Sequence, residues 1–323
     1  MILVTGATGH VGNVLVRELL SRAERVRVLV LPGENAVSLE GLDVERVEGN
    51  VLDPPSLDRA MEGVGVAYHL AGVISILPGD EENMRRVNVD GVSYVARAAS
   101  RAGVGRLIYA SSVHAFRRMP HGVTIDESVP FAPDSPAGAY DRTKAEGTLA
   151  VLNEVAQGLD AVIACPSGII GPYDYLKSEM GQTILDFSRK KIHLLVDGAY
   201  DFVDVRDVVA GLMLAAEKGR TGQAYILSGA QVKMGQIRST AQEIAGVHFP
   251  AITVPFWLAG LAAGLAERFY RLTQTTPRFT SYALQTVRDN SVFSHAKARR
   301  ELGYHPRPLR ESIADTLAWW RAQ

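Results

Sequence analysis

The sequence predicts an α/β fold, a doubly wound parallel sheet with a second, smaller and mainly helical lobe. Two observations predict this class. An apolar run at the start of the chain meets a glycine-rich turn and then an apolar pattern with helical spacing. Strand and helix patterns alternate to about residue 171, as in a parallel sheet with right-handed crossovers. We assign residues 1–172 plus about 200–230 to the sheet domain, and about 173–199 plus 231–323 to the second lobe.

Composition restricts the class of protein further. Of the 323 residues 47% are hydrophobic, enough for a large core, and 34 basic and 35 acidic residues give a net charge of −1. These charges are mixed along the chain, so we expect no nucleic-acid partner. Cys165 is the only cysteine, and no two of the eight histidines lie three to five residues apart. We therefore expect neither an internal disulfide nor a metal site.

Two features bear on membranes and location. The predicted first strand begins at residue 2, which leaves no room for a signal peptide and favours a cytoplasmic protein. Residues 249–266 are almost wholly apolar and approach the length of a bilayer span. Pro250 and Pro255 interrupt this stretch, so the helix that it supports begins at about Phe256 and is too short to span. We expect a core or lid helix there and no membrane span.

The first strand, turn and helix carry the clearest binding signal. Gly6, Gly9 and Gly12 follow the apolar run at residues 2–4, and helical apolar spacing begins at Val11. Glycines leave room for a tight turn, for a ligand close to the backbone, and for close packing of helix on strand. The free N–H groups of the first helical turn favour an anion such as a pyrophosphate. The expected ligand is a dinucleotide.

The second strand, at residues 26–31, bears on the choice between NAD and NADP. A carboxylate at the end of this strand binds the 2′-hydroxyl of NAD, whereas an arginine accommodates the 2′-phosphate of NADP. Val30 and Leu31 stand there, so neither signal is present. Glu34 and Asn35 follow closely enough to reach a ribose. The cofactor prediction is therefore NAD or NADP, with NAD favoured.

The remaining elements follow from the same periodicities. A long loop at residues 117–139 contains four prolines and two glycines, and long ordered loops in compact domains usually carry function. From residue 234 onward the tail is predicted to be helical. The other predicted strands lie at residues 44–47, 64–70, 106–110, 160–164, 194–196 and 224–227, and the other predicted helices at about 81–101, 139–157, 178–190, 205–218 and 309–322.

One pair of side chains is suited to acid–base chemistry. Tyr140 and Lys144 are four residues apart, and hence on one face of a helix. A nearby cation favours the tyrosinate and lowers the pKa of the phenol, which would make Tyr140 a general acid and base. A tyrosine and a lysine at this spacing also occur on ordinary helix surfaces, so the spacing alone leaves both interpretations open.

Six motifs, in order along the chain, resemble those of the extended short-chain dehydrogenase/reductases, the NAD-dependent epimerase/dehydratase family. Residues 255–266 and 296–304 resemble its dihydroflavonol-reductase-like and 3β-hydroxysteroid-dehydrogenase-like branch. The resemblance implies a Rossmann dinucleotide-binding domain and a substrate-binding lobe. The six motifs are residues 5–12 (TGATGHVG), 69–72 (HLAG), 88–91 (NVDG), 111–112 (SS), 140–144 (YDRTK) and 166–172 (PSGIIGP).

The resemblance also implies the roles of individual residues. Tyr140 would exchange a proton with the substrate oxygen, Lys144 would bind the nicotinamide ribose and lower the tyrosine pKa, and Ser112, in preference to Ser111, would hydrogen-bond the same oxygen. Asn88 would tie a helix to a neighbouring strand. His114, Phe116 and Tyr173 leave strand ends and would either touch substrate or only close the cleft. The implied cofactor-binding residues are Gly6, Thr8, Gly9, His10, Val11, Gly12, Asn50, Val51, Leu70, Ala71, Gly72, Tyr140, Lys144, Pro166 and Ile169.

The resulting hypothesis is an NAD(P)-dependent oxidoreductase that transfers a hydride at a hydroxyl or ketone carbon of a small or apolar substrate. A nucleotide-sugar epimerase or dehydratase with tightly bound NAD is the alternative. Its usual arginine after the sixth strand is missing, although Arg189, Arg206 or Arg238 could serve. A non-catalytic NAD(P)-sensing protein is a third possibility, disfavoured because Tyr140 and Lys144 are both present. The family also suggests a homodimer through the helices near 81–101 and 140–157.

Overall fold

A computed structural model describes residues 1–74, 79–273 and 281–323 of the chain. The strands are β1 Ile2–Thr5, β2 Val26–Val30, β3 Glu45–Glu48, β4 Val66–His69, β5 Arg106–Ala110, β6 Ala161–Pro166, β7 Gly168–Ile170, β8 His193–Val196, β9 Ala199–Asp204, β10 Ala224–Leu227, β11 Ala230–Lys233 and β12 Ala251–Val254. The α-helices are α1 His10–Ser21, α2 Pro54–Met61, α3 Glu81–Arg85, α4 Val92–Arg101, α5 Ala139–Ala156, α6 Glu179–Phe187, α7 Val205–Lys218, α8 Met234–Ala245, α9 Phe256–Thr273, α10 Ser281–Arg288, α11 Ala296–Leu302 and α12 Leu309–Arg321.

Seven parallel strands form the main sheet, in the order β10-β6-β5-β4-β1-β2-β3. The chain starts in the middle with β1, whose Ile2 is in register with Val26 of β2 on one side and Val66 of β4 on the other. It then winds outward first to one edge and later to the other, as in doubly wound sheets. The predicted fold class is confirmed. Ligands of such sheets bind at the carboxyl ends of the strands near the reversal between β1 and β4.

Alternate strand residues face two separate helical layers. Val4 and Ile108 point into a core shared with α1, α7 and α11, whereas Leu3 and Leu107 point into one shared with α2, α4 and α5. All four side chains are fully buried, and this two-sided burial explains why the strands are apolar runs rather than alternating patterns. The residues after β11 also contribute here, because Ala298 of α11 lies in the same core as α1.

Two small sheets lie outside the main sheet. Strand β9 pairs in parallel with β7 and antiparallel with β11, and β8 pairs in parallel with β12. A third apolar cluster joins β7 and β9 to α6, α8 and α12. The prediction of a wholly helical tail is wrong at β12, a short strand between Pro250 and Pro255 that pairs only with a distant partner. Strands β7, β9 and β11 were also not predicted, because each of them pairs with a strand that is distant in the sequence.

Two helical regions differ from the sequence-based prediction. The single helix expected at residues 81–101 contains a π-helical segment at Arg86–Gly91, between α3 and α4. Helix α9 begins at Phe256 as expected, but it is not a core helix, because Trp257, Leu261 and Leu265 are between 60% and 67% exposed. In the described part of the chain, no helix combines the length and the apolar character needed to cross a bilayer.

Candidate active site

The glycine turn between β1 and α1 is packed against the backbone on both sides. Gly6 has φ +69°, and a Cβ there would lie 2.6 Å from the Ala71 nitrogen. A Cβ on Gly12 would lie 2.0 Å from the Gly6 carbonyl oxygen. The Thr5 hydroxyl accepts the Ala71 N–H at 3.3 Å and bonds to Nδ1 of His69 at 2.7 Å. The ends of β1 and β4 are therefore fixed together beside the turn.

The N-terminus of α1 is suited to an anion. Its N-cap residue is Gly9, no side chain caps the first turn, and the first turn contains no acidic residue. The His10 side chain points elsewhere, with Nε2 donating to the Pro172 carbonyl at 2.9 Å. A short glycine-lined approach and uncapped N–H groups fit the pyrophosphate of a dinucleotide. Residues 6–12 thus have the arrangement that NAD requires.

Glu34 occupies the space between the turn and the end of β2. Its carboxylate accepts the Thr8 hydroxyl at 2.6 Å and the Leu31 N–H at 3.0 Å. The carboxylate is thus held at the strand end where a dinucleotide-binding fold places the adenosine ribose. Residues 30–31, where a strand-end carboxylate or arginine would stand, are apolar, and the sequence analysis predicted that Glu34 is close enough to reach a ribose. The structure shows that a residue three positions further along returns to this place.

Tyr140 and Lys144 lie on α5, which passes the ends of β4 and β5. Nζ of Lys144 donates to the Ala110 carbonyl at 2.9 Å and stands 5.3 Å from the centre of the Tyr109 ring. Burial lowers the pKa of Lys144 to about 8. The ammonium group faces Gly72 as well, since a Cβ there would lie 3.8 Å from Nζ. Residues 70–72 and Lys144 therefore border one space.

The electrostatics of Tyr140 differ from the expectation. Burial raises the pKa of Tyr140 to about 12, a hydrogen bond with Ser112 opposes this, and the Asp141 charge adds to it. The expected lowering of this pKa by Lys144 is not observed, and the loss of hydration on burial outweighs the hydrogen bond with Ser112. Tyr140 is therefore a neutral phenol at physiological pH. It can donate a proton to a substrate oxygen.

The two serines after β5 have different surroundings. Ser111 shares a 2.6 Å hydrogen bond with Thr148 of α5, which occupies its hydroxyl. Ser112 accepts the His114 N–H at 3.2 Å and bonds with Tyr140. Only Ser112 is therefore beside the phenol. Asn88 holds a structural position, exchanging two 2.8 Å hydrogen bonds with the backbone of Val73.

The other predicted site residues fall into three groups. Pro166 ends β6, and Ile169 lies in β7. Asn50 uses its side-chain oxygen for the Leu52 N–H, and Val51 is largely buried in the core under α4. Phe116 and Tyr173 do not join the catalytic group. Phe116 is buried against Phe131, with ring centres 4.8 Å apart, and Tyr173 lies beside Arg17 of α1.

His114 does reach the catalytic group, in a polar network that the sequence analysis did not foresee. Its ring meets the Tyr140 ring edge-on at 5.5 Å, and its Nε2 shares a 2.7 Å hydrogen bond with the Tyr200 hydroxyl. Asp141, which is fully buried, accepts bonds from Arg118 at 2.6 Å and from the Tyr282 hydroxyl at 2.7 Å. Together these contacts lower the pKa of Asp141 to about 2.

Part of this network could have been found in the sequence. Asp141 is an acidic residue inside the 140–144 motif, and Arg118 is a basic residue in the long loop at 117–139. Tyr200 and Tyr282 are far away in the chain and come from β9 and α10. Only the fold of the second lobe brings them beside His114. In the described part of the chain, no group of three or more His, Cys, Asp or Glu side chains could hold a metal ion.

Comparison with known proteins agrees with this geometry. The family model described as "NAD dependent epimerase/dehydratase family" matches residues 2–228. The chain is 39% identical to sterol demethylase protein B of Methylococcus capsulatus, over 99% of this chain and 98% of that protein. It is 30% identical to a 4-hydroxy-2-methyl-3-oxo-4-farnesyl-3,4-dihydroquinoline-1-oxide ketoreductase of Stigmatella aurantiaca, over 97% and 94%. The solved structure of gox2253 aligns with a TM-score of 0.87 at 35% identity, covering 100% of this chain and 98% of that one.

These matches confirm the resemblance seen in the motifs. Further relatives include dihydroflavonol-reductase and 3β-hydroxysteroid-dehydrogenase proteins, the branch suggested by the sequence. The family is described as NAD-dependent epimerases and dehydratases, and the names of these relatives include a reductase and hydroxysteroid dehydrogenases. The chain belongs to the NAD-dependent epimerase/dehydratase family of extended short-chain dehydrogenase/reductases, and it is an enzyme of oxidoreductase or epimerase type.

Proposed function

We propose that this protein is an NAD-dependent oxidoreductase that interconverts a secondary alcohol and a ketone on an apolar carbon skeleton. The observation that carries the proposal is that Ser112 bonds with Tyr140, while Lys144, one turn further along α5, faces Gly72 beside the glycine turn. Bound NAD would supply the acceptor or donor of the hydride. The side chains of this protein would orient the substrate oxygen and exchange its proton.

Each catalytic side chain has a separate task in this proposal. Ser112 would hydrogen-bond the substrate oxygen and hold it against the phenol. Tyr140, neutral because its pKa is about 12, would donate its proton to that oxygen during reduction. Lys144, with a pKa of about 8, is mostly cationic at neutral pH and would bind the ribose hydroxyls. Its cation would also favour the tyrosinate that the reverse reaction requires.

Glu34 supports NAD over NADP. The carboxylate is fixed by Thr8 and Leu31, so it cannot swing away without losing both hydrogen bonds. A 2′-hydroxyl can donate to this carboxylate, whereas a 2′-phosphate would bring a second negative charge next to it. Like charges at such short range are unfavourable, and we therefore assign the coenzyme as NAD.

The surroundings of the arginines support an apolar substrate over a nucleotide-sugar. Arg206 pairs with Asp204 and Asp315 at 2.8 and 2.7 Å, and Arg189 with Asp186 at 3.1 Å. Arg238 donates to the Phe249 carbonyl. Because each of these three guanidinium groups already has a partner within the protein, none is available to bind a diphosphate bidentately. The relatives' names agree, since they include a sterol demethylase protein and a ketoreductase of a farnesylated quinoline oxide.

A comparative assay tests the proposal. The purified enzyme is offered 3-keto sterols with NADH, the corresponding 3-hydroxy sterols with NAD⁺, and UDP-glucose as the competing substrate. We expect net NADH consumption or formation with the sterols only. Epimerisation of UDP-glucose without net coenzyme change, by enzyme that retains NAD through purification, would contradict the proposal. Tyr140→Phe serves as the control for background chemistry.

The proposal includes a homodimer through α4 and α5, as the family suggests. Both helices lie on the same face of the sheet, and α5 leaves Leu149 41% exposed. A contact between these helices of two copies would cover the Leu149 side chain. Light scattering after size-exclusion chromatography should give twice the mass of 34.9 kDa, and Leu149→Asp should lower it to one chain.

A further inference from the structure

Helix α9 carries its bulky side chains on the outside. Trp257, Leu258, Leu261 and Leu265 are all between 45% and 67% exposed. Leu261 follows Leu258 by three residues and Trp257 by four, and Leu265 follows Leu261 by four. Residues at this spacing lie on one face of a helix. Ala263, on the opposite side, is almost fully buried. A surface helix of a globular protein normally shows the reverse arrangement, with its apolar stripe facing the core.

The two-stranded sheet that precedes this helix is apolar on its outer face too. Leu194 of β8 and Ile252 of β12 are register partners and so lie side by side, 61% and 55% exposed. Only Pro255 separates β12 from α9. Ile192, just before β8, is 58% exposed. We call these residues, with Trp257, Leu258, Leu261 and Leu265, the apolar face.

A basic run adjoins this apolar face. Arg189, Lys190 and Lys191 immediately precede Ile192, while one carboxylate, Asp186, pairs with both Arg189 and Lys191. These four residues therefore carry a net positive charge. Asp197 is exposed at the other end of β8. Residues 249–266 contain no Asp, Glu, Lys or Arg at all.

We propose that the apolar face, with the basic run beside it, docks this protein on the surface of a membrane that contains anionic lipids. Tryptophan and leucine side chains would enter the boundary between headgroups and acyl chains, and Lys190 would contact lipid phosphates. The helix would lie in the surface, since it cannot cross the bilayer. A second copy fits less well, because a twofold contact presents the same basic run on both partners.

The position of this face relative to the catalytic group suits an apolar substrate. Helix α10 contacts α9 through Arg288, whose guanidinium stands 4.6 Å from the centre of the Phe256 ring. The same α10 carries Tyr282, which bonds to Asp141 next to the catalytic Tyr140. The docking surface and the site are thus joined by one short helix. The inference itself rests on exposure and charge and does not depend on the proposed reaction.

Vesicle flotation tests the proposal directly. Full-length protein is mixed with vesicles of phosphatidylcholine, with or without phosphatidylglycerol, and the bound fraction is measured. We expect binding to the anionic vesicles, with Leu261→Glu about tenfold weaker and Lys190→Glu weaker on anionic vesicles only. Val123→Glu, which places the same charge on another exposed apolar residue, should bind like wild type. Absence of wild-type binding would overturn the proposal. So would an equal loss of vesicle binding in Leu261→Glu and Val123→Glu.

A second measurement does not depend on folding of the charged variants. Wild-type protein is bound to vesicles that contain brominated lipids, which quench only nearby tryptophans. The protein has three tryptophans, so Trp257→Phe should abolish the quenching while Trp320→Phe should retain it. Quenching that survives Trp257→Phe would place the contact elsewhere. A fall in oligomeric mass on Leu261→Glu, without any vesicle binding by wild type, would assign the face to a second copy.

Discussion

At the scale of single residues, the site is governed by burial of ionisable groups. Burial lowers the pKa of Lys144 and raises that of Tyr140, so each group is shifted toward its neutral form. Asp141 is the exception. Its contacts with His114, Arg118 and Tyr282 outweigh burial, and its pKa falls to about 2. One buried negative charge is therefore retained beside the catalytic tyrosine.

We predict that Asp141→Asn destabilises the protein by about 1–3 kcal/mol, because Arg118 loses its 2.6 Å ion pair with Asp141 and keeps the longer one with Asp289, at 3.3 Å. Urea unfolding measures the change. The matched control is Asp134→Asn, since Asp134 meets Arg117 at 3.9 Å in an exposed pair worth at most about 1 kcal/mol. Equal changes in the free energy of unfolding for the two substitutions would show that the buried network is no more stabilising than the exposed pair.

At the scale of elements, the junction between β1 and α1 was the most predictable part. Gly9 and Gly12 are required by contacts with residues 6 and 7, and contacts this local leave a pattern in the sequence, whereas Gly6 packs against Leu70 and Ala71. The structure gives the reason: a Cβ at position 12 would collide with the Gly6 carbonyl. This steric requirement is independent of which substrate the second lobe accepts.

Gly12→Ala is expected to push α1 away from the turn and to weaken NADH binding by more than about tenfold, since the two nearest atoms belong to the backbone. Fluorescence titration with NADH measures this. Gly235→Ala is the control, because a Cβ at this position in α8 meets nothing within 4 Å. That variant should bind normally and gain up to about 1 kcal/mol of stability. Normal NADH binding by Gly12→Ala would refute the steric argument.

Elements of the second lobe were less predictable than those of the main sheet. Strand β12 is four residues long and exists by pairing with β8, more than fifty residues earlier. Local periodicity contains no information about such a partner. The apolar residues of β12 also continue into those of α9, so the strand was not distinguished from the helix. The same limit applies to the site: Tyr140 and Lys144 are visible as a helical pair, whereas Tyr200 and Tyr282 become neighbours of His114 only through tertiary structure.

At the scale of the whole molecule, buried carboxylates join segments that are distant in sequence. Asp201 on β9 accepts the Ser167 hydroxyl at 2.5 Å and the Gly229 N–H at 2.9 Å, thereby linking β9 to the loops that follow β6 and β10. Asp207 on α7 accepts two bonds from Arg307, which precedes α12. Such links fix these segments against one another. Burial raises the pKa of Asp201 from 3.8 to about 6.

This shift predicts a specific pH dependence of stability. Between about pH 4 and 6 the folded protein keeps the Asp201 proton while the unfolded chain loses it, so stability falls as the pH rises through this range. The loss amounts to about 3 kcal/mol and is complete above about pH 6. The Asp201→Asn side chain cannot ionise, so this variant should not show this loss of stability. Urea unfolding of both proteins at pH 4 and 7 measures the difference, and parallel pH profiles would disprove the assignment.

We propose that Tyr140 exchanges a proton with the substrate oxygen during net NAD-dependent oxidation and reduction. The most direct test is kcat for NADH-dependent ketone reduction by wild type and Tyr140→Phe, together with NADH affinity. Removal of one hydroxyl should lower kcat about 10²- to 10⁴-fold and leave NADH binding unchanged. Wild-type kcat in the Tyr140→Phe variant would contradict the account.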